Sequence, residues 1–335
     1  MRYLSFLTLA GLLLPLAGCD RTGAYGDASS IVTAMDAQLW AQVDDEVLQA
    51  LEPTIRTVAE ERKFTVTYQD PRDPTWGRLQ QFKQLLLVGT GSEPWMADVV
   101  RRLDGDGTQP RPRIAQVRDV WARSQLVTVV LLPEQGDRAD AFRGQLETLG
   151  RIYDRQFRDL ALARMFITGR DSALADTLAR TAGFSLLVPQ VYQWSRRDSV
   201  FVFRNDNPDP SELIRQVTVT WRTPIPRELE GEEILAWRAE LAALHYAYPQ
   251  AVDLSQVDAE PFHHEGLSAY QVQAVWHNPP EASWPAAGPF LLWAVACPAQ
   301  NRLYLLDAWL YAPGREKYEY MIQLQTILES FRCGS

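Results

Sequence analysis

Residues 216–221 read Gln-Val-Thr-Val-Thr-Trp. Apolar and polar side chains alternate at period two, as in a strand whose faces lie in different surroundings. Val217, Val219 and Trp221 are expected to face a core, and Gln216, Thr218 and Thr220 to face away from it. That places the segment in an antiparallel sheet with one face covered. The flanking sequence extends this reading. Apolar runs at 184–188 (continuing to about 194), 200–203, 270–276, 290–296 and 302–310 are predicted as strands, with helices over about 228–247 and 315–331. Met321, Leu324, Leu328 and Phe331 form one stripe on the last helix, with Tyr318 and Ile322 beside it. Residues 184–333 are thus expected to be an α+β domain, an antiparallel sheet packed with helices.

The same pattern bears on the cysteines. Strand 302–310 runs away from a turn at 298–301, rising about 33 Å over some ten residues. The closing helix returns about 27 Å over some eighteen residues. Cys333 should finish near Cys297, leaving two outcomes open: a disulfide or two separate thiols.

Upstream, strand and helix signals alternate. Strands are predicted at 30–36, 63–68, 82–89 and 125–132, and a helix over 37–61 with Leu39, Val43, Val47, Leu51 and Ile55 at helical spacing. A shorter helix ends at Leu103, and helical spacing runs from about Arg138 to Gly183. Residues 31–183 are therefore expected to be an α/β domain, with the boundary at Gly183-Phe184.

The amino terminus carries an address. Arg2 precedes an apolar run from Tyr3 to Leu16, the layout of a secretory signal and too short to span a bilayer of about 20 apolar residues. Leu16-Ala17-Gly18-Cys19 resembles the box of the bacterial lipoprotein pathway. The resemblance implies cleavage of residues 1–18 and fatty acylation (palmitate and related chains) at Cys19, which holds the body at a membrane. Residues 19–30 are small and polar and read as a lipidated, flexible tether. The expected location is the cell envelope, on the non-cytoplasmic side, at the outer rather than the inner membrane. There Cys297 and Cys333 sit in a compartment that permits disulfides.

Composition narrows the function classes. A net charge of −9, with no basic cluster, does not suit nucleic acid. The 46% hydrophobic content and eleven tryptophans indicate a substantial core.

Several segments together resemble a family of bacterial envelope lipoproteins that carry a domain of unknown function, DUF4837. They are Ala24-Tyr25-Gly26 with Asp36 and Trp40, Phe82-Lys83, Asp119 to Gln125, Val188-Pro189 with Tyr192, Gly288-Pro289-Phe290, and Tyr311 to Gly314 with Lys317. The resemblance covers most of the chain and implies an envelope lipoprotein without supplying an activity. The second half also looks like the Mog1/PsbP-type α/β sandwich, an analogy of fold alone.

No catalytic signature stands out. Gly89-Thr90-Gly91-Ser92 lacks both nucleotide-binding glycine patterns, and Ser92 as a helix cap with Pro94 in the first turn accounts for it. His263-His264-Glu265 would place its imidazoles on opposite strand faces, so no metal site is expected. Trp221, Trp276, Trp293 and Trp309 are expected in the core, with Trp76, Trp95 and Trp284 nearer the surface. The reading is a non-catalytic binding or support protein without cofactor or nucleotide, attached to the membrane and to another envelope protein. An envelope hydrolase and a glycan or small-ligand binder are the alternatives.

Overall fold

The structure is a computed structural model that describes residues 22–103, 113–281 and 284–334. Cys19 and the signal segment lie outside the described residues. The chain divides into two compact units, residues 1–43 with 66–142 and residues 44–65 with 143–335.

The first unit carries a five-stranded sheet in the order Thr65–Gln69, Ser30–Ala34, Gln84–Gly89, Leu126–Leu131, Ile114–Arg118. The three central strands are parallel and the last is antiparallel. Gln84–Gly89 is buried throughout, as befits a parallel strand covered on both faces. Residues expected to form a tether are part of this unit. Gly23 and Tyr25 bridge to Arg123 and Phe82, and the Tyr25 ring packs 4.6 Å from that of Phe82. Gly26 has a φ of 89°, and a Cβ there would meet the Phe82 ring at 2.7 Å. From Thr22 onward the chain is therefore held by pairing and ring contact rather than free.

The helix predicted over 37–61 spans Ala37–Leu51. Pro53 cannot donate the next backbone bond and disfavours helix at Glu52. The chain turns there into a hairpin of Thr54–Arg56 against Glu60–Arg62, so Ile55 leaves the helical stripe it seemed to extend.

The second unit is built on an eight-stranded sheet. Its order is Ala251–Val252, Leu267–His277, Ala287–Cys297, Arg302–Tyr311, Ile214–Arg222, Val200–Asn205, Gln193–Arg197, with Asp258–His264 also pairing along Leu267–His277. All its pairings are antiparallel. One face is apolar: Val217, Val219, Leu306, Ala308 and Val295 pack with Met165, Leu178, Leu324 and Leu328 from the helices Leu146–Met165, Ser172–Ala182 and Tyr318–Glu329. These helices belong with the sheet, so the division expected at Gly183 falls inside this unit instead.

The other face corrects the reading of 216–221. Gln216, Thr218 and Thr220 do not meet solvent but are buried. That face is covered by the helix Gly231–His245, whose Ile234, Trp237 and Leu241 pack with Phe290, Leu292, Leu305 and Trp309. The polar alternation marks a buried ion pair. Arg238 Nε stands 3.0 Å from Asp307 Oδ2, and both side chains have no exposure. Thr218 is the cross-strand partner of Asp307. Arg238 also donates to Gln250 Oε1 at 2.6 Å and lies 3.8 Å over the Phe290 ring, while the Tyr246 hydroxyl donates to Asp307 Oδ2 at 2.5 Å. Burial pushes the Asp307 carboxyl up and the Arg238 guanidinium opposes it, leaving it above the ordinary range. Burial, then the Asp307 charge, holds the Tyr246 hydroxyl well above its usual range, so it stays a donor.

The closing helix is fixed at both ends. At its start Asp154 accepts from Tyr318, Arg158 and Lys63. At its end Arg332–Cys333 pairs with Phe184–Ser185, and Cys333 is bonded to Cys297 with Cα atoms 6.0 Å apart.

The buried pair and the half-buried Asp154 cluster can both be tested by unfolding. Arg238→Met strands a buried carboxylate and should lower unfolding free energy by about 3–5 kcal/mol, while the double variant Arg238→Met/Asp307→Leu recovers most of it. Urea unfolding at neutral pH measures both. Burial alone would raise the Asp154 carboxyl, but the bonds from Tyr318, Arg158 and Lys63 bring it down to about 2. The stability it contributes is present above an unfolded pKa of about 4 and lost as pH falls through the folded value. Urea midpoints at about pH 6 and pH 2.5 should show a fall for the native chain, and a smaller fall from a lower start for Asp154→Asn.

Candidate functional site

The ends of four strands of the second unit bring aromatic side chains together. A cavity of about 380 Å³ opens there, walled by Tyr248, Trp276, Asn278, Trp284, Trp309 and Tyr311. Trp276 pairs across the sheet with Gly288, and Tyr311 with Ile214. Gly288 is required by close approach: a Cβ would lie 1.8 Å from the Leu310 carbonyl oxygen and 2.9 Å from the Trp276 indole nitrogen. With no side chain there, Trp276 donates to that carbonyl at 3.1 Å. The rings of Trp276 and Trp309 then meet edge to face at 5.5 Å, and those of Tyr248 and Trp284 at 6.0 Å.

Asn278 shapes the mouth. Its backbone N–H donates to Ala286 O at 2.8 Å, and its side-chain amide donates to Trp284 O at 2.9 Å. Asn278 Oδ1 and the Trp309 indole N–H are both buried and find no partner among the described residues. Both lie within residues of the cavity wall but have almost no accessible surface of their own, and each costs about 1–3 kcal/mol while it lacks a partner. The carboxylate at this cavity is Asp209, whose oxygen accepts from the Ser211 hydroxyl and backbone N–H; these bonds hold its pKa below the usual range. An exposed carboxylate that holds its charge so firmly is poorly matched to proton transfer at neutral pH.

The residues singled out from sequence take other places. His264 is buried with Nε2 2.7 Å from Phe331 O, and His263 is exposed, consistent with opposite strand faces. Among the described residues no group of His, Cys, Asp and Glu could hold a metal ion. The Gly89–Ser92 loop is filled by its own carboxylates, since Thr90 N–H donates to Glu93 at 2.7 Å and Ser92 N–H to Glu134 at 3.2 Å. Ser92 is not the cap: its hydroxyl donates to Glu134 at 2.9 Å, and Glu93 precedes the short helix Pro94–Met96. Trp276, Trp293 and Trp309 are buried and Trp284 is half exposed, but Trp76 is buried too. Asn278, Tyr248 and Tyr311 were missed. Asn278-Pro279-Pro280 directly after a strand was the available signal, a turn that re-aims the chain beside two tryptophans.

Residues 171–330 match the family model of a domain of unknown function, DUF4837. The match takes in the whole cavity wall and the segments at 188–192, 288–290 and 311–317, while those between 24 and 125 fall outside it. No curated protein matches the chain. Among solved structures the chain is similar to the PsbP protein (CyanoP) of Synechocystis sp. PCC 6803, at 13% identity and a TM-score of 0.31 over 45% of this chain and 87% of that one. It is similar to the Ran-binding protein Mog1p of Saccharomyces cerevisiae, at 11% identity and a TM-score of 0.31 over 45% of this chain and 90% of that one. LpqN of Mycobacterium tuberculosis, described as involved in cell envelope biogenesis, gives 13% identity and a TM-score of 0.29 over 45% and 83%.

Gly288→Ala should force the Leu310 carbonyl and the Trp276 ring apart. The expected cost is about 1–3 kcal/mol from overpacking, with a changed near-ultraviolet circular dichroism from the Trp276–Trp309 pair. An unchanged melting temperature and spectrum would contradict the close approach described.

Proposed function

We propose that the chain is a lipid-anchored binding protein of the cell envelope, which holds a small ligand in the aromatic cavity of its second unit without transforming it. The observation that carries the reading is the concave space of about 380 Å³ walled by the rings of Tyr248, Trp276, Trp284, Trp309 and Tyr311. Concave, mostly apolar sites with a few placed polar groups are the usual form of small-molecule sites, and about 300–1,000 Å³ is their usual size. The rival reading as a hydrolase asks for a titratable group poised near neutral pH; Asp209 is shifted the other way.

The location rests on other observations. The Leu16-Ala17-Gly18-Cys19 box supports lipidation at Cys19, and an acyl-anchored body would stay at the membrane. The Cys297–Cys333 bond suits an oxidising compartment outside the cytoplasm. No helix among the described residues is long and apolar enough to cross a membrane, so attachment would rest on the lipid.

Cys19→Ser tests the anchor. The native chain is expected in the membrane fraction with a mass above that of its polypeptide, and the variant in the soluble fraction without the added mass. A variant that still fractionates with membranes at a mass differing only by the substitution removes the anchor from this account. Native mass spectrometry of protein drawn from its own membranes tests the binding: a bound small molecule is expected, with lower occupancy in Trp284→Ala.

A further inference from the structure

The wall of the aromatic cavity combines ring surface with one uncompensated negative charge. Trp276 and Trp309 are buried in that wall, whereas Tyr248 and Tyr311 are partly exposed and Trp284 is half exposed. The planes of Tyr248 and Trp284 stand 78° apart, so the two rings form adjacent sides of a box rather than a stack. Beside them lies the exposed carboxylate of Asp209. Its Oδ1 accepts from the Ser211 N–H and hydroxyl, and these bonds keep it ionised. Among the described residues it has no cationic partner. The arginines around this loop are engaged elsewhere: Arg204 with Asp206, Arg315 with Glu212, and Arg215 with Gln323 and the Asn207 carbonyl. A carboxylate without a counter-charge, at a cavity walled by the negative faces of aromatic rings, favours positive charge. We infer that the cavity takes a small organic cation with a methylated ammonium group, an inference that rests on the binding reading above.

Methylation follows from what the wall offers. A primary ammonium carries three N–H donors, which lose water on entry and find few acceptors among rings. A trimethylammonium has no N–H to satisfy, and its methyl groups pack on apolar surface while ring faces attract its charge. Tyr248 already shows that attraction: the Arg204 guanidinium lies 5.8 Å over its ring, with its own charge balanced by Asp206. Other classes fit less of the wall. An anion would meet Asp209, and an acyl chain would fill the apolar volume but draw nothing from the carboxylate. A saccharide would bring many hydroxyls to a wall whose buried polar atoms are inaccessible. Free methylated amines and choline-bearing lipid head groups share the required chemistry.

The full chain, purified in a non-ionic detergent, is titrated by calorimetry and tryptophan fluorescence at low and high salt. The probes are choline, tetramethylammonium and the soluble short-chain lipid dihexanoylphosphatidylcholine. Ethanolamine supplies the primary amine, and dimethylbutanol the uncharged carbon isostere of choline; glucose, decanoate and inorganic phosphate run in parallel. Saturable binding of choline is expected, at least about tenfold tighter than that of dimethylbutanol. Trp284→Ala and Tyr248→Ala should each weaken it by about tenfold or more. Asp209→Asn keeps an oxygen for Ser211 and should weaken choline about two- to fivefold, with most of the salt dependence lost. Trp194→Ala, at an exposed tryptophan on the strand Gln193–Arg197, should leave binding unchanged. Choline bound without the lipid points to a free amine, and lipid binding that choline displaces points to a head group; both support the inference. Dimethylbutanol or ethanolamine bound as tightly as choline overturns it and leaves the binding reading standing, as does glucose, decanoate or phosphate bound in place of every methylated ammonium. Choline binding that Trp284→Ala and Tyr248→Ala leave intact places the site elsewhere and overturns the inference as well. Failure of every probe also overturns it, and an empty cavity in protein drawn from its membranes then removes the binding reading too.

Discussion

Two opposite charges with no access to water sit at the centre of the second unit's sheet, and much of that unit is arranged around them. Asp307 lies mid-strand in Arg302–Tyr311, with a strand on either side, and its carboxylate faces the helix side rather than the apolar side. A buried carboxylate is tolerable only with a counter-charge and hydrogen bonds close by. The counter-charge comes from Arg238, in the middle of the apolar stripe of Gly231–His245. The helix can therefore lie on the sheet in one register only, the one that sets Arg238 beside Asp307. The chain beyond this helix is fixed in turn, because Tyr246 donates to Asp307 and Gln250 accepts from Arg238. Tyr248 lies between those two tethered residues, and so becomes a wall of the cavity. The ion pair thus positions the site without touching a ligand.

The opposite face of the sheet is mainly apolar packing, with two arginines at its margin that bond to the helices: Arg215 donates to Gln323 at 3.1 Å and Arg302 to Ala182 O at 3.1 Å. Its centre is a cluster of leucines, valines and aromatic rings. The constraint there falls on the ends of the closing helix: the Asp154 bonds at Tyr318, and the Cys297–Cys333 bond beyond Phe331. A cross-link over a separation of 36 residues removes loop entropy from the unfolded chain, typically about 2–4 kcal/mol. A buried ion pair on one face, and marginal arginine bonds with covalent closure on the other, accomplish the same end, a single arrangement of helices on one sheet.

The strands around residues 216–221 were legible because their alternation is strong, and the closing helix because its stripe is. The meaning of the polar half was not. Alternation reports that two faces differ, not that one is wet, and Thr218 looks the same beside water as beside Asp307. The better clue was a charge inside an apolar run: Asp307 within Leu303 to Leu310, and Arg238 between Trp237 and Leu241. Of the strand Asp258–His264 only the His263-His264 end is legible in sequence, for another reason. It pairs with Leu267–His277 and is exposed along most of its length, so no periodicity was imposed on it, and Pro261 argues against a central strand. Trp276 and Trp309 were rightly placed in the interior, but interior and cavity wall are the same environment to a sequence pattern. Only the folded arrangement reveals that one indole N–H reaches Leu310 O and that the other has no partner among the described residues.

The short segment Gly288-Pro289-Phe290 joins these threads. Gly288 leaves room for the Trp276 ring against the Leu310 carbonyl, which sets the back wall of the cavity. Two residues on, Phe290 offers its ring to the Arg238 guanidinium at 3.8 Å and pairs with Trp309 across the sheet. One stretch of strand therefore serves the close approach, the buried cation and the aromatic wall together. Its contribution is geometric: it sets the backbone approach, the ring against the cation and the cavity wall from three consecutive positions.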